Sequence, residues 1–413
     1  MRRHFDLAVV GGGPCGLYAS LVASRSGMDV VLFEEHRDIG SPQHCAGHIS
    51  TRGLRALGIE MPQRLLTGAY RGAILHSPSG KRLIFDAGRT VSVSIDRRGF
   101  ERHLADLSEG AGTALALGSR VRGLRPLGGS LEVRPSSPGP AAVNCRMALD
   151  AEGYPPKLLG EIRAWSPRDY SALMGIGAEV EEVDEVREGF VELYFGRDIA
   201  PGFFAWLIPL KGGGARIGLA TERGNPRELL NRFIRDRLIP PGKLPSRPRM
   251  AEMEPHPIPI WRGNYKTYGE RLLVVGDAAS QVKPTTGGGL FLGMSCSSMA
   301  VGTARRALST GEYGEGALSR YERLWRRAFS LELKLMGALR RIASGLGDRG
   351  VDILFEELSG SALIDRMNRD PEMDFQGKAI FRALLDPISS ISAARIFFKL
   401  FSKGFLRRDL KPG

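Results

Sequence analysis

The 413-residue chain carries 58 Lys and Arg against 45 Asp and Glu, a formal net charge of +13, with 42% hydrophobic and 25% charged residues. This composition excludes disorder across the chain, and the length exceeds one ordinary core, so a main domain with smaller units attached is expected. The most apolar runs, such as Leu272 to Val275, are far too short to span a bilayer. Cys15, Cys45, Cys145 and Cys296 are scattered without any metal or cluster spacing, which predicts no bound metal and fits a reducing cytoplasm. The positive charge bears on partners rather than fold: anionic lipid, an acidic redox protein or nucleic acid would each be attracted.

In chain order, Leu7-Ala8-Val9-Val10 predicts a strand, Gly11 to Gly16 a tight turn, Leu17 to Ser26 a helix and Val30 to Phe33 a second strand, together a βαβ unit. Ser92 to Leu107 leads from a charged run into a helical pattern. Between Leu149 and Lys266, runs such as Phe190 to Phe195 and Ala215 to Leu219 alternate in strand fashion, and a proline-rich stretch, Pro240 to Pro259, closes that region. Leu272 to Val275 then resumes a buried strand. Beyond Gly311, the residues Leu318, Tyr321, Leu324, Trp325, Phe329, Leu333, Leu335 and Met336 recur at helical spacing between cations.

Gly11-Gly12-Gly13-Pro14-Cys15-Gly16 satisfies G-x-G-x-x-G directly after a strand and at the opening of a helix. Gly11 permits the tight turn, Gly13 lets the backbone approach a pyrophosphate, and Gly16 allows close helix–strand packing. Glu34, ending the second strand, is placed to accept hydrogen bonds from the adenosine ribose. A second signal separates FAD from NAD. Leu272 to Val275 runs into Gly276-Asp277, which offers a carboxylate to a ribitol chain, and Gly287-Gly288-Gly289 opens the next helix with backbone N–H groups. The expected fold class is α/β: a discontinuous Rossmann-type FAD-binding domain (1–150 and 267–310), an inserted β-rich substrate domain (151–266) and a C-terminal helical lobe (311–413).

With these motifs in place, the chain resembles the geranylgeranyl reductase family within the para-hydroxybenzoate hydroxylase flavoprotein superfamily, over roughly residues 4 to 310. The resemblance also rests on Gly40 to Gly47 (GSPQHCAG), on Asp96 to Glu101 (DRRGFE), and on Phe204-Ala205-Trp206-Leu207-Ile208-Pro209. The last is similar to the family's Y-x-W-x-F-P signature, followed by Gly218-Leu219-Ala220 where the family shows G-x-G; Phe204, Ile208 and Ala220 are departures. It implies FAD contacts from Cys15, Glu34, Cys45, Ala46, His48, Arg97, Val121, Asp277, Gly289 and Leu290. It implies a polyprenyl site lined by Phe204, Trp206 and Pro209, and it places the loop bearing His44, Cys45 and His48 against the flavin ring.

The activity so implied is saturation of isolated C=C bonds in geranylgeranyl chains, carried on a glycerophospholipid, a diphosphate, a quinone or a chlorophyll precursor; the basic tail, suited to an anionic interface, selects archaeal-type membrane glycerophospholipids. An alkene without an adjacent carbonyl needs a proton donor opposite the hydride, and Cys45 is the candidate acid, packing on the ring being its other reading. The rivals are an FAD monooxygenase or halogenase of the same superfamily and a flavoprotein electron carrier. No second dinucleotide turn follows a strand, so electrons are expected from a docking donor, ferredoxin or NAD(P)H. No nucleic-acid partner is expected. The C-terminal run from Ile396 to Arg408, where rings alternate with cations, is a candidate peripheral membrane contact, giving a cytoplasmic protein at the membrane surface.

Overall fold

The computed structural model describes residues 4–43, 45–136, 142–159, 171–239, 242–261, 263, 266–386, 395 and 399. His44 and, apart from residue 399, the tail run 396–408 lie outside the described residues. The chain forms two compact units, Met1–Gln43 with Asp96–Ala172 and Ile258–Leu331, and His44–Ile95 with Leu173–Pro257 and Glu332–Gly413.

In the first unit, parallel strands stand in the order Leu272–Val274, Val143–Asp150, His4–Val10, Val30–Phe33 and Ala114–Ala116, with Tyr268–Gly269 antiparallel at one edge. Every residue of Val30–Phe33 is buried, as in a sheet covered on both faces. The helix Pro14–Arg25 starts with proline at its first position and packs against the helices Arg97–Gly110 and Leu290–Thr310. Leu318, Tyr321, Trp325 and Phe329, from the helix Glu315–Leu358, are buried as their spacing predicts, whereas Leu324 is exposed. The α/β class and the βαβ opening are borne out.

In the second unit a mostly antiparallel sheet has the order Met250–Glu252, Ala172–Val180, Ala215–Thr221, Ala205–Pro209, Phe190–Tyr194, Gly72–His76 and Arg82–Asp86. These units cut across the boundaries read at 150, 266 and 310. Gly72–His76 pairs in parallel with Phe190–Tyr194, more than a hundred residues away, so 44–95 belongs with the strand-rich unit. No local composition change announces a pairing of that range. The helix Pro226–Phe233 supplies Leu229, Leu230 and Phe233 to the core beneath Ile176, Leu207, Ile217 and Leu219.

Candidate functional site

The turn after His4–Val10 is built by steric necessity. Gly11 takes a φ of 104°, and a Cβ there would sit 2.3 Å from the Ala151 carbonyl oxygen; at Gly16 a Cβ would lie 1.9 Å from the Gly11 oxygen. Gly13 caps the helix Pro14–Arg25 with open space where a side chain would stand, and no side chain caps that helix. Its backbone is thereby open to a ligand oxygen, and the helix start supplies a positive end. Glu34 sits beside this turn, accepting the Gly12 N–H at 2.6 Å and the His36 N–H at 2.8 Å. His36 Nδ1 also lies 2.6 Å from Glu34 Oε1, so of a carboxylate's roughly four acceptor sites about one is left for a hydroxyl donor. Asp150, wholly buried at the end of Val143–Asp150, accepts the Glu152 N–H at 3.0 Å, and burial holds its carboxyl well above the ordinary carboxylate range.

The second part of the site follows Leu272–Val274. Gly276 takes a φ of 69° and Ser280 is left-handed at 48°, a sharp bend that leaves Asp277 exposed though surrounded by protein. Lost hydration raises the Asp277 carboxyl above its ordinary value, against the pull of the Arg97 guanidinium. A buried relay braces the bend: Gly276 N–H donates to Gln281 Oε1 at 2.8 Å, Gln281 Nε2 to Tyr321 Oη at 2.7 Å, and Tyr321 Oη to the Val274 carbonyl at 2.8 Å. Gly287 takes a φ of 70°, and Gly289 caps the helix Leu290–Thr310, which no side chain caps; a Cβ on Gly289 would stand 3.1 Å from Asp277 Oδ1. Arg97, at the start of its own helix, pairs with Glu101. Val121 is buried in the core of this unit.

Cys15 is packed rather than reactive. Its sulfur lies where a Cβ on Gly276 or Gly293 would come within 2.9 or 2.5 Å, and burial, then the Asp277 carboxylate, push the thiol up to about 12. The open Gly13 backbone, the Asp277 carboxylate and the glycine-opened helix start therefore fit a flavin dinucleotide.

In the second unit, the loop Cys45-Ala46-Gly47 is held by a residue the sequence does not single out. Arg216, 4% exposed, donates Nη1 to the Ala46 carbonyl at 3.0 Å and to the Ile95 carbonyl at 2.7 Å, and Nε to Glu179 at 2.6 Å. The Gly47 N–H approaches Cys45 Sγ at 3.5 Å, and this thiol is half-buried. His48 Nε2 meets Ser92 Oγ at 2.8 Å, and its ring packs edge-on to Tyr70. Tyr70 in turn donates to the Pro209 carbonyl at 2.5 Å. Ala46 and Trp206 both pack on the cluster of Tyr70, Val191 and Ile208. Phe204 lies 6.2 Å from Trp206 and 4.3 Å from Phe203, ring centre to ring centre. The structure thus brings Ala46, His48, Trp206 and Pro209 together in one unit, and gathers Cys15, Arg97, Asp277 and Gly289 in the other.

A profile described as an NAD(P)-binding Rossmann-like domain matches residues 9–72. Over 370 residues the chain is 30% identical to digeranylgeranylglycerophospholipid reductase 2 of Methanothermobacter thermautotrophicus, covering 87% of this chain and 93% of that protein. The chain belongs to the digeranylgeranylglycerophospholipid reductase family. The geranylgeranyl reductase resemblance is therefore borne out. Among solved structures, the geranylgeranyl bacteriochlorophyll reductase-like protein of Thermoplasma acidophilum superposes with a TM-score of 0.81 at 22% identity, covering 95% of this chain and 99% of that one. The halogenase PltM in complex with phloroglucinol and FAD gives 0.66 at 14% identity, covering 99% and 93%. These two likenesses speak to the fold alone.

Within this family member, the three departures from the signature fall on apolar packing. Phe204 and Ile208 are buried, and Ala220 lies inside its strand, donating its N–H to the Phe204 carbonyl at 3.3 Å. Gly218 faces Trp206 across the strand pair. Arg216, Tyr70 and Gln281 escaped sequence reasoning; the only signal was a buried-type strand pattern interrupted by a polar residue, as at Ala215-Arg216-Ile217.

Proposed function

We propose that the chain is an FAD-dependent oxidoreductase acting on CH–CH groups, which saturates isolated double bonds of geranylgeranyl chains carried on archaeal-type membrane glycerophospholipids. Family membership supports the substrate class. The observation that carries the cofactor is the pairing of an open Gly13 turn with Asp277 beside the start of the helix Leu290–Thr310, all within the first unit. Gly11, Gly13 and Gly16 would hold the pyrophosphate, Glu34 the adenosine ribose, and Asp277 the ribityl hydroxyls, with Gly287, Gly289 and Leu290 offering backbone N–H groups. Val121 and Cys15 would pack against the cofactor, and Arg97 would meet its phosphate or ribityl oxygens. From the resemblance we retain Cys45, Ala46 and His48 as further contacts. These nucleotide-binding segments lie within 1–150 and 267–310.

FAD bound and reduced supplies two electrons and one hydrogen to the alkene; the second hydrogen must arrive as a proton from the protein. We assign that proton to Cys45 Sγ, on a loop whose backbone Arg216 fixes. The apolar faces of Phe204 and Trp206, with Pro209, would line the prenyl chain and exclude water. Electrons would reach the site from ferredoxin or NAD(P)H, distinguished by anaerobic mixing with each donor while flavin absorbance is followed.

A lipid substrate implies contact at the membrane surface. Among the described residues no helix is long and apolar enough to cross a membrane, and Ile342, Phe381 and Leu385 are exposed apolar side chains in the second unit. Liposome flotation, with and without anionic lipid, tests this contact. The decisive experiment for the activity is anaerobic incubation of the dithionite-reduced, FAD-loaded protein with a digeranylgeranyl glycerophospholipid, followed by mass spectrometry. Mass gains in steps of a hydrogen pair are expected. FAD-loaded protein that adds no hydrogen, yet consumes oxygen with substrate, would overturn the reading.

A further inference from the structure

Strand alternation in the second unit separates two chemistries. Leu193 shares a face with its cross-strand partner Trp206, whereas Glu192 and Tyr194 point to the opposite face. On that opposite face lies a cavity of about 220 Å³ lined by His76, Arg82, Tyr194, Asp236, Arg237 and Lys243.

Beneath it, Glu192 is 2% exposed and accepts from His76 Nε2 at 2.6 Å, Lys243 Nζ at 2.6 Å and Tyr194 Oη at 2.8 Å. The His76 ring stacks on Tyr194 at 4.2 Å. Lys243, 7% exposed, gives a second hydrogen to the Glu185 carbonyl at 3.2 Å and retains a third. His76 commits Nε2 to Glu192. Arg237 spends one nitrogen, Nη2, on Asp198 and the Pro78 carbonyl, both at 3.3 Å. Arg82 has no acidic partner among the described residues. Asp236, the one carboxylate of the lining, is tied to Arg235 at 2.8 Å.

A buried ion network adds little stability over apolar packing of the same volume, so stability alone is a weak reason for it. Its geometric effect is to hold Lys243 in a fixed orientation, with one hydrogen left over, beside two guanidinium groups. Such a cluster suits a small tetrahedral oxyanion, which offers several acceptor oxygens to charge-assisted donors.

We propose that this cavity binds a phosphate group, on the sheet face opposite Trp206. The phosphate belongs either to free phosphate or to the headgroup of a phospholipid, and the source alone rests on the reductase reading. The test is isothermal titration of the FAD-loaded full-length chain, at low ionic strength, with inorganic phosphate and with glycerol phosphate. Saturable one-to-one binding is expected, weakened about tenfold by Arg82→Gln or Arg237→Gln and partly recovered by Arg82→Lys. Arg82 is exposed, so its variants should fold. A headgroup phosphate predicts that Arg82→Gln raises KM for the phospholipid at unchanged kcat, and that inorganic phosphate competes with it. Free phosphate predicts the same loss of phosphate binding with KM for the lipid unchanged. Absence of saturable phosphate binding by the unaltered chain, or binding that neither glutamine variant weakens, would overturn the proposal. The titration decides even for protein that reduces no lipid.

Discussion

Trp206 leans on Gly218: the two are cross-strand partners, and a Cβ added at Gly218 would stand 2.5 Å from Trp206 Cζ2 and 2.6 Å from the Ile176 carbonyl oxygen. The spacing between tryptophan and glycine in the family signature thus has a steric cause. The ring occupies the volume that any other residue at 218 would fill.

Gly218→Ala should therefore displace the indole and strain the strand Ala172–Val180. A destabilisation of about 1–3 kcal/mol is expected from overpacking, read by urea unfolding, together with lower lipid turnover and retained FAD. Wild-type stability and wild-type turnover in this variant would contradict the packing.

Arg216 is a positioning residue for the Cys45 loop. One guanidinium reaches Glu179, the Ala46 carbonyl and the Ile95 carbonyl, a fork that a lysine ammonium cannot reproduce. Arg216→Lys should keep the fold but lower kcat more than it raises KM, and should speed alkylation of Cys45 by iodoacetamide as the loop loosens. Arg216→Met, which leaves the carbonyls unpaired, should cost about 1–3 kcal/mol of stability. An unchanged alkylation rate in Arg216→Lys would argue that the loop is held elsewhere.

The proton-donor role of Cys45 separates two substitutions. Cys45→Ser keeps a small donor and Cys45→Ala removes it, so hydrogenation should fall further in the alanine variant while flavin reduction by dithionite proceeds in both. Equal near-native turnover would leave the thiol a packing role only.

Tyr321→Phe removes the hydroxyl that joins Gln281 to the Val274 carbonyl, all of it buried. Leaving those groups unpaired should cost about 1–3 kcal/mol and loosen the bend that presents Asp277, so FAD should be lost faster on dialysis. Native flavin retention combined with reduced stability would confine the relay to a structural role.

Glu192 predicts an acid-sensitive window. Burial alone would raise its carboxyl, but hydrogen bonds from His76 and Lys243, the Lys243 charge and the Tyr194 hydroxyl outweigh it and bring the group from 4.5 down to about 2. A depressed folded value means stabilisation that is present above the unfolded value and lost as pH falls from 4.5 towards 2. The contribution is on the order of 3 kcal/mol. Glu192→Gln should be less stable at pH 7 and show a flatter pH dependence across that window in urea unfolding. Parallel curves for both proteins would refute this linkage.

Much of the first unit is legible in the chain because its determinants are local. A glycine turn between two buried strands, an acid at the second strand end and Gly276-Asp277 before a glycine-opened helix are all decided within short stretches, where backbone sterics and hydrogen-bonding capacity act on neighbours. The Cys45 loop carries a motif, but nothing near it announces Arg216, which lies about 170 residues away. Likewise, Tyr321 reads as one more apolar position on a helix, and its hydroxyl acquires meaning only beside Gln281.

The sequence by itself determined the strand–turn–helix opening, the α/β class and the family, because steric demands on glycine and apolar periodicity are expressed residue by residue. Only the tertiary structure decided that Gly72–His76 joins the sheet of Phe190–Tyr194, that Arg216 braces the Cys45 loop, and that Glu192, His76 and Lys243 meet beside a cavity. Hydrogen bonds between distant segments depend on strand register and on which face each side chain takes. Register is settled by the packing of the whole unit, not by any stretch of it.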